Sequence, residues 1–151
     1  MKEINFETVK LVNSLCLFDG EPHFVVNQKA IESALGNQYQ PYEKQEQAFA
    51  SVYKSLVLNH GFMNGNKRTA VIVLYLFSLM CGNPLMINDK DLAKLTYKIA
   101  GENGGQTQVE EIAEEVFKDK FSQNLNELED VKTVASQFIK EHQWLMKELG
   151  K

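Results

Sequence analysis

Cysteine, proline, histidine and arginine are all scarce in this chain of 151 residues, and each scarcity removes a class of protein. The two cysteines, Cys16 and Cys81, lie far apart in apolar runs. That excludes a disulfide-stapled framework and predicts reduced, buried thiols in a cytosolic protein. The three histidines, His23, His60 and His142, are scattered, so with two separated cysteines no zinc site assembles. His23 follows Pro22 in a turn and His142 stands between Glu141 and Gln143, and both read as surface or core-edge residues. Three prolines and 44% hydrophobic residues fit one domain with a real core. The opening Met-Lys-Glu-Ile-Asn-Phe carries no hydrophobic signal region. The longest apolar run, Ala70 to Cys81 with only Ser78 polar, falls well short of the roughly twenty residues that cross a bilayer. A cytoplasmic protein with no membrane partner is expected. A net charge of −4 argues against nucleic acid as a direct partner. Residues 102–130 are strongly acidic, which reads as a solvated face or a dock for a basic partner.

Arginine is the scarcest of all: Arg68 stands alone against fifteen lysines. It closes the run His60-Gly61-Phe62-Met63-Asn64-Gly65-Asn66-Lys67-Arg68, which gathers an imidazole, glycine turns, amides and two cations. The apolar stretch behind it predicts a buried helix over 67–81. Lys67 and Arg68 then fall at the start of that helix, where the macrodipole disfavours cations. Two cations among free backbone N–H groups make sense around an anion, most naturally a phosphate, which an arginine fork grips at two points. An ordinary turn with solvated charges is the bland alternative.

The rest of the chain reads as helix after helix, and the class is all-α. Asn5 caps a helix through Leu17, and Asn27 to Leu35 forms a short second one. Residues 36–42 are a loop, with a minor hairpin as the alternative. A helix over 43–59 presents Phe49, Val52, Tyr53, Leu56 and Val57 on one face, and His60 continues that face, so its ring should point inward. Asn88 to Ala100 is helical, a glycine-rich break follows, and Thr107-x-x-Glu110 reads as a capping box for a helix to Lys118. Residues 124–149 place Leu125, Leu128, Val131, Val134, Phe138, Leu145 and Leu149 at near-helical spacing. This amphipathic helix must bury one face on its own domain, over the site, or on a second copy as a homodimer. The division expected is 1–120 and 121–151.

The run His60 to Ala70 resembles the core motif of the Fic/Doc superfamily, H-P-F-x-[D/E]-G-N followed by G-R or K-R. Its Lys67-Arg68-Thr69-Ala70 ending is similar to the death-on-curing (Doc) toxin branch. Ala30 to Leu35 resembles the segment before that family's substrate flap, and Val109 to Phe117 its closing helix, so the likeness covers about residues 5–120. The resemblance implies a helical bundle with a short flap, plus an extra C-terminal amphipathic helix. It implies a transferase using ATP and Mg²⁺ that modifies a hydroxyl of a Ser, Thr or Tyr in a target protein. His60 would be the catalytic base, a role that suits an imidazole titrating near neutrality. Gly65, Asn66, Lys67 and Arg68 would bind the nucleotide phosphates, Asn64 the metal, and Tyr39 and Tyr42 would frame the flap. Similarity to Doc further implies γ-phosphate transfer, an elongation-factor target and an inhibitory antitoxin. Transfer of AMP in the Fic manner is one alternative, and a catalytically weakened interaction domain another.

Two departures from the motif matter. Asn64 stands where the family has Asp or Glu, and a neutral amide offers Mg²⁺ an oxygen without charge. Gly61 stands where the family has Pro, which should loosen the loop that aims His60. In some Fic proteins a terminal helix inhibits through a Ser/Thr-x-x-x-Glu-Gly-like motif; Thr107-x-x-x-Glu111 has the spacing but is followed by Ile.

Overall fold

The computed structural model describes residues 3–82, 85–117 and 125–151. The expected helix stop at Asn83-Pro84, the helix end at Lys118 and the first residues of the 121–151 segment lie outside these. Among the described residues the chain forms eight α-helices and no strand beyond a single β-bridge, an all-α fold. They are α1 (Phe6–Cys16), α2 (Gln28–Gly36), α3 (Gln45–Leu58), α4 (Asn66–Met80), α5 (Asp89–Ala100), α6 (Val109–Val116), α7 (Val131–Glu141) and α8 (Gln143–Leu149). No helix among the described residues is long and apolar enough to cross a membrane.

Local chemistry sets the helix starts. Asn5, Asn27 and Asn88 each accept the N–H of a first-turn residue (Thr8, Ala30 and Asp91), as side-chain caps do. Thr107 does not cap: it is buried at the end of the 3₁₀ turn Gly104–Gln106, and α6 starts after Gln108. The expected capping box is therefore absent, because the tight turn has already used the backbone there. Residues 37–39 form another 3₁₀ turn instead of a hairpin, fastened by the Gln38 amide to both backbone groups of Ile4.

Helix α4 is the axis of the molecule. Ala70 to Leu74, Leu76 and Phe77 are wholly buried, and Phe77 stacks on Phe49 of α3 at 4.2 Å. Helices α1, α3, α7 and α8 pack around it. The C-terminal segment is two helices where one was expected, broken at His142 (φ −121°, ψ 43°). Ala135, Phe138, Leu145, Met146 and Leu149 join the same core as α1 to α6. The face expected to seek cover finds it on the chain's own helices.

Candidate functional site

Helix α3 ends at Leu58 with Asn59 as its cap, and His60 then takes φ +47°. A side chain with a Cβ rarely adopts that left-handed conformation, and histidine is among the few that tolerate it. The turn breaks the helical phase, so His60 does not continue the buried face of α3 and is exposed to solvent. This corrects the inward-pointing ring expected from periodicity.

Beyond His60 the chain is firmly held. Gly61 is buried, and its carbonyl accepts from the N–H groups of Val26 (2.8 Å) and Asn27 (3.1 Å). Met63 N–H donates to Phe24 C=O at 3.0 Å, and Val25 bridges antiparallel to Phe62. A Cβ on Gly61 would stand 2.3 Å from Cγ1 of Ile31. Glycine here does not loosen the loop, as expected from sequence; it lets the loop seat against α2.

The next turn is built by amides. Asn66 donates from Nδ2 to Phe62 C=O (2.8 Å) and accepts at Oδ1 from Phe62 N–H (3.0 Å). Gly65 takes φ +77° and starts α4, with no side-chain cap at that start. The first helical bond runs from Thr69 N–H to Gly65 C=O. The preceding N–H groups, of Asn66, Lys67 and Arg68, therefore have no helical acceptor, and the positive end of a fifteen-residue helix faces the loop.

The two cations behave differently from each other. Lys67 is half-buried, its Nζ 5.7 Å from the centre of the Tyr97 ring on α5. Arg68 is 2% exposed. Its Nη1 donates to Cys16 C=O at 2.5 Å, its Nη2 pairs with Glu21 Oε2 at 2.9 Å, and its head lies 4.0 Å from the centre of the Phe18 ring. The two-point grip expected for phosphate is thus turned inward in this structure. Glu21 also accepts the Phe18 N–H, so one carboxylate organises both ring and guanidinium.

Asn13 of α1 is a residue that motif reading missed. Fully buried, it donates from Nδ2 to Asn64 C=O (2.8 Å) and to the Thr69 hydroxyl (3.1 Å), bracing the turn against α4. Its trace in the sequence is an amide on the apolar face of α1, between Val12 and Cys16. Burial, only partly offset by the Thr69 hydrogen bond, pushes the Cys16 thiol up, so it stays neutral beside this network.

Asn64 is half-buried, and its Nδ2 donates to Pro22 C=O at 3.3 Å. No group of three or more His, Cys, Asp or Glu that could hold a metal occurs among the described residues. A Mg²⁺ ion brought by a triphosphate would find one neutral ligand on this loop, the Asn64 amide oxygen.

Tyr39 and Tyr42 go elsewhere. The Tyr39 hydroxyl donates to Glu3, and that of Tyr42 to Ser51 on α3 at 2.9 Å. The segment in backbone contact with the motif is 24–27, where Phe24 and Val26 are exposed beside Met63. His23 stacks loosely on Phe62, and His142 Nδ1 lies 2.9 Å from Asp89.

No curated protein and no solved structure matches the chain. The model of the Fic/DOC family matches residues 17–78, a span that runs from the Phe18–Glu21 knot through the whole motif to most of α4. Proteins of that family transfer nucleotide or phosphate groups to other proteins. Residues 17–78, somewhat less than half of the chain, are thus similar to the Fic/DOC family.

Proposed function

We propose that the loop between α3 and α4 is the active site of a protein-modifying transferase, Doc-like in moving the γ-phosphate of ATP to a protein hydroxyl. The observation that carries this reading is the pairing of an exposed His60 with the uncapped start of α4, on a loop pinned by Asn66, Gly61 and Asn13. ATP supplies the phosphoryl group; Asn64 would be the chain's ligand to a Mg²⁺ ion, which when bound would offset the charge of the triphosphate. The N–H groups of Asn66 and Lys67, with Lys67 Nζ, face the phosphates, which needs an anion because the helix end is positive. His60 takes the proton of the target hydroxyl as its oxygen bonds to the γ-phosphorus. The bond from that phosphorus to the bridging oxygen breaks, and ADP leaves. Lys67 occupies the place that a glycine leaves open in AMP-transferring relatives, which favours presentation of the γ-phosphate.

The target would lie along residues 24–27. There Phe24 C=O and Val26 N–H pair with the motif, so the backbone groups of Val25 face the other way and can receive an extended segment. This segment takes the place proposed from sequence for the flap at Tyr39 and Tyr42. By resemblance to Doc, a translation elongation factor is the first target to try, and an antitoxin helix the first inhibitor.

Two other readings are separated by the same experiment. AMP transfer follows if the cradle takes ATP in the opposite direction. A weakened interaction domain is favoured by the inward Arg68 and the neutral Asn64. The protein is incubated with lysate and ATP labelled at the α or the γ position. Protein-bound γ-label that falls by about two to four orders of magnitude in His60→Ala supports the proposal. Bound α-label means AMP transfer; no bound label from either position leaves the interaction domain.

A further inference from the structure

Both cations of the motif lie against aromatic rings, Lys67 on Tyr97 and Arg68 on Phe18, although the rings come from distant parts of the chain. The same turn of α8 holds both rings from behind. The Tyr97 hydroxyl donates to Glu148 C=O. Gly150, the cap of α8, is so close to Phe18 that a Cβ there would stand 2.4 Å from its Cε2. Leu145, Met146 and Leu149 fasten the helix to the core beneath. Glu148, the acid of α8, pairs with Lys151 at 2.9 Å.

We propose that the last turn of α8 is a clamp that sets whether Arg68 can reach an anion. Seated, it holds Phe18 over the guanidinium, which then donates from Nη1 to Cys16 C=O and from Nη2 to Glu21 while its buried Nε has no partner among the described residues. Lifted, it frees Phe18 to move, and an anion of higher charge than Glu21 can draw the guanidinium outward. The functional consequence rests on the phosphate-binding reading above; the clamp itself does not.

Because Arg68 is the only arginine of the chain, phenylglyoxal labelling followed by mass spectrometry reports on this one side chain. Two full-length variants lift the turn in different ways. Gly150→Val drives a side chain into Phe18, so either the turn or the ring must move. Tyr97→Phe removes the bond to Glu148 and keeps the ring under Lys67. In each variant with an unchanged far-UV spectrum, labelling should quicken by about tenfold, the effect of a ~1.4 kcal/mol bias between the two seats. Should Gly150→Val fail to fold, Tyr97→Phe decides alone. Wild-type labelling as fast as that of free arginine, or unchanged labelling in the folded variants, overturns the clamp. Titration with pyrophosphate separates the two ideas. Faster labelling with tighter pyrophosphate binding supports both, while faster labelling without it keeps the clamp and removes Arg68 from the anion site.

Discussion

Single residues in the motif serve the backbone before they serve any ligand. Gly61 shows this most directly, since Ile31 fills the space that any side chain at 61 would need. Gly61→Ala should cost about 1–3 kcal/mol by overpacking. Ile31→Ala removes the obstruction, so the double variant should lose less than the two single losses added together. Additive losses in chemical denaturation would show that the two positions do not meet. Asn64 tests the metal instead. Asn64→Asp should lower the Mg²⁺ concentration for half-maximal transfer, because it adds charge. It should also cost about 1 kcal/mol, since an ionised carboxylate cannot donate to Pro22 C=O. If the two Mg²⁺ curves overlay, Asn64 is no ligand. The sequence made Arg68 conspicuous but not its direction. Its partners, the Cys16 carbonyl and the Glu21 carboxylate, come from a distant turn. No local pattern marks such a pair, which forms only when α1 packs on α4.

At the scale of elements, what is legible in the sequence follows the range of the force involved. Asparagine caps act within one turn of chain, so the starts of α1, α2 and α5 could be read from Asn5, Asn27 and Asn88. The apolar run of α4 likewise announced a buried axis. His60 and Thr107 misled because a local turn, left-handed at one and 3₁₀ at the other, displaced the helical phase that the pattern assumed. The bracing of α4 by α1 was invisible for the opposite reason: it joins Asn13 to Asn64 across the fold. That contact predicts that Asn13→Ala should destabilise the protein by about 1–3 kcal/mol, because Asn64 C=O loses a buried donor. Its effect should concentrate at the start of α4. Amide exchange at residues 64–67 should quicken more than exchange in α3. Uniform acceleration would make Asn13 an ordinary core residue.

At the scale of the whole molecule, α7 and α8 decide how the motif is supported. Sequence periodicity showed that residues 124–149 must bury a face but could not say against what, since an amphipathic pattern fits any apolar partner equally. The answer lies in α1, α4 and α5. Phe138 packs on Tyr75 of α4 with ring centres 4.6 Å apart, His142 stacks on Phe138 and meets Asp89 of α5, and Leu145 is fully buried. A segment sharing its apolar side chains with the central helix cannot unfold without exposing that helix, so the whole chain should melt as one unit. Leu145→Ala makes the argument measurable. Truncating a fully buried leucine costs about 2–5 kcal/mol. If α8 belongs to the common core, the loss should appear in one transition that moves down together by far-UV circular dichroism and by the fluorescence of the sole tryptophan, Trp144, just before Leu145. If α7 and α8 formed a separate layer, Trp144 fluorescence would shift first, while the far-UV transition of α1 to α6 stayed where it is in the wild type. Two separated midpoints would therefore remove these helices from the support of the motif.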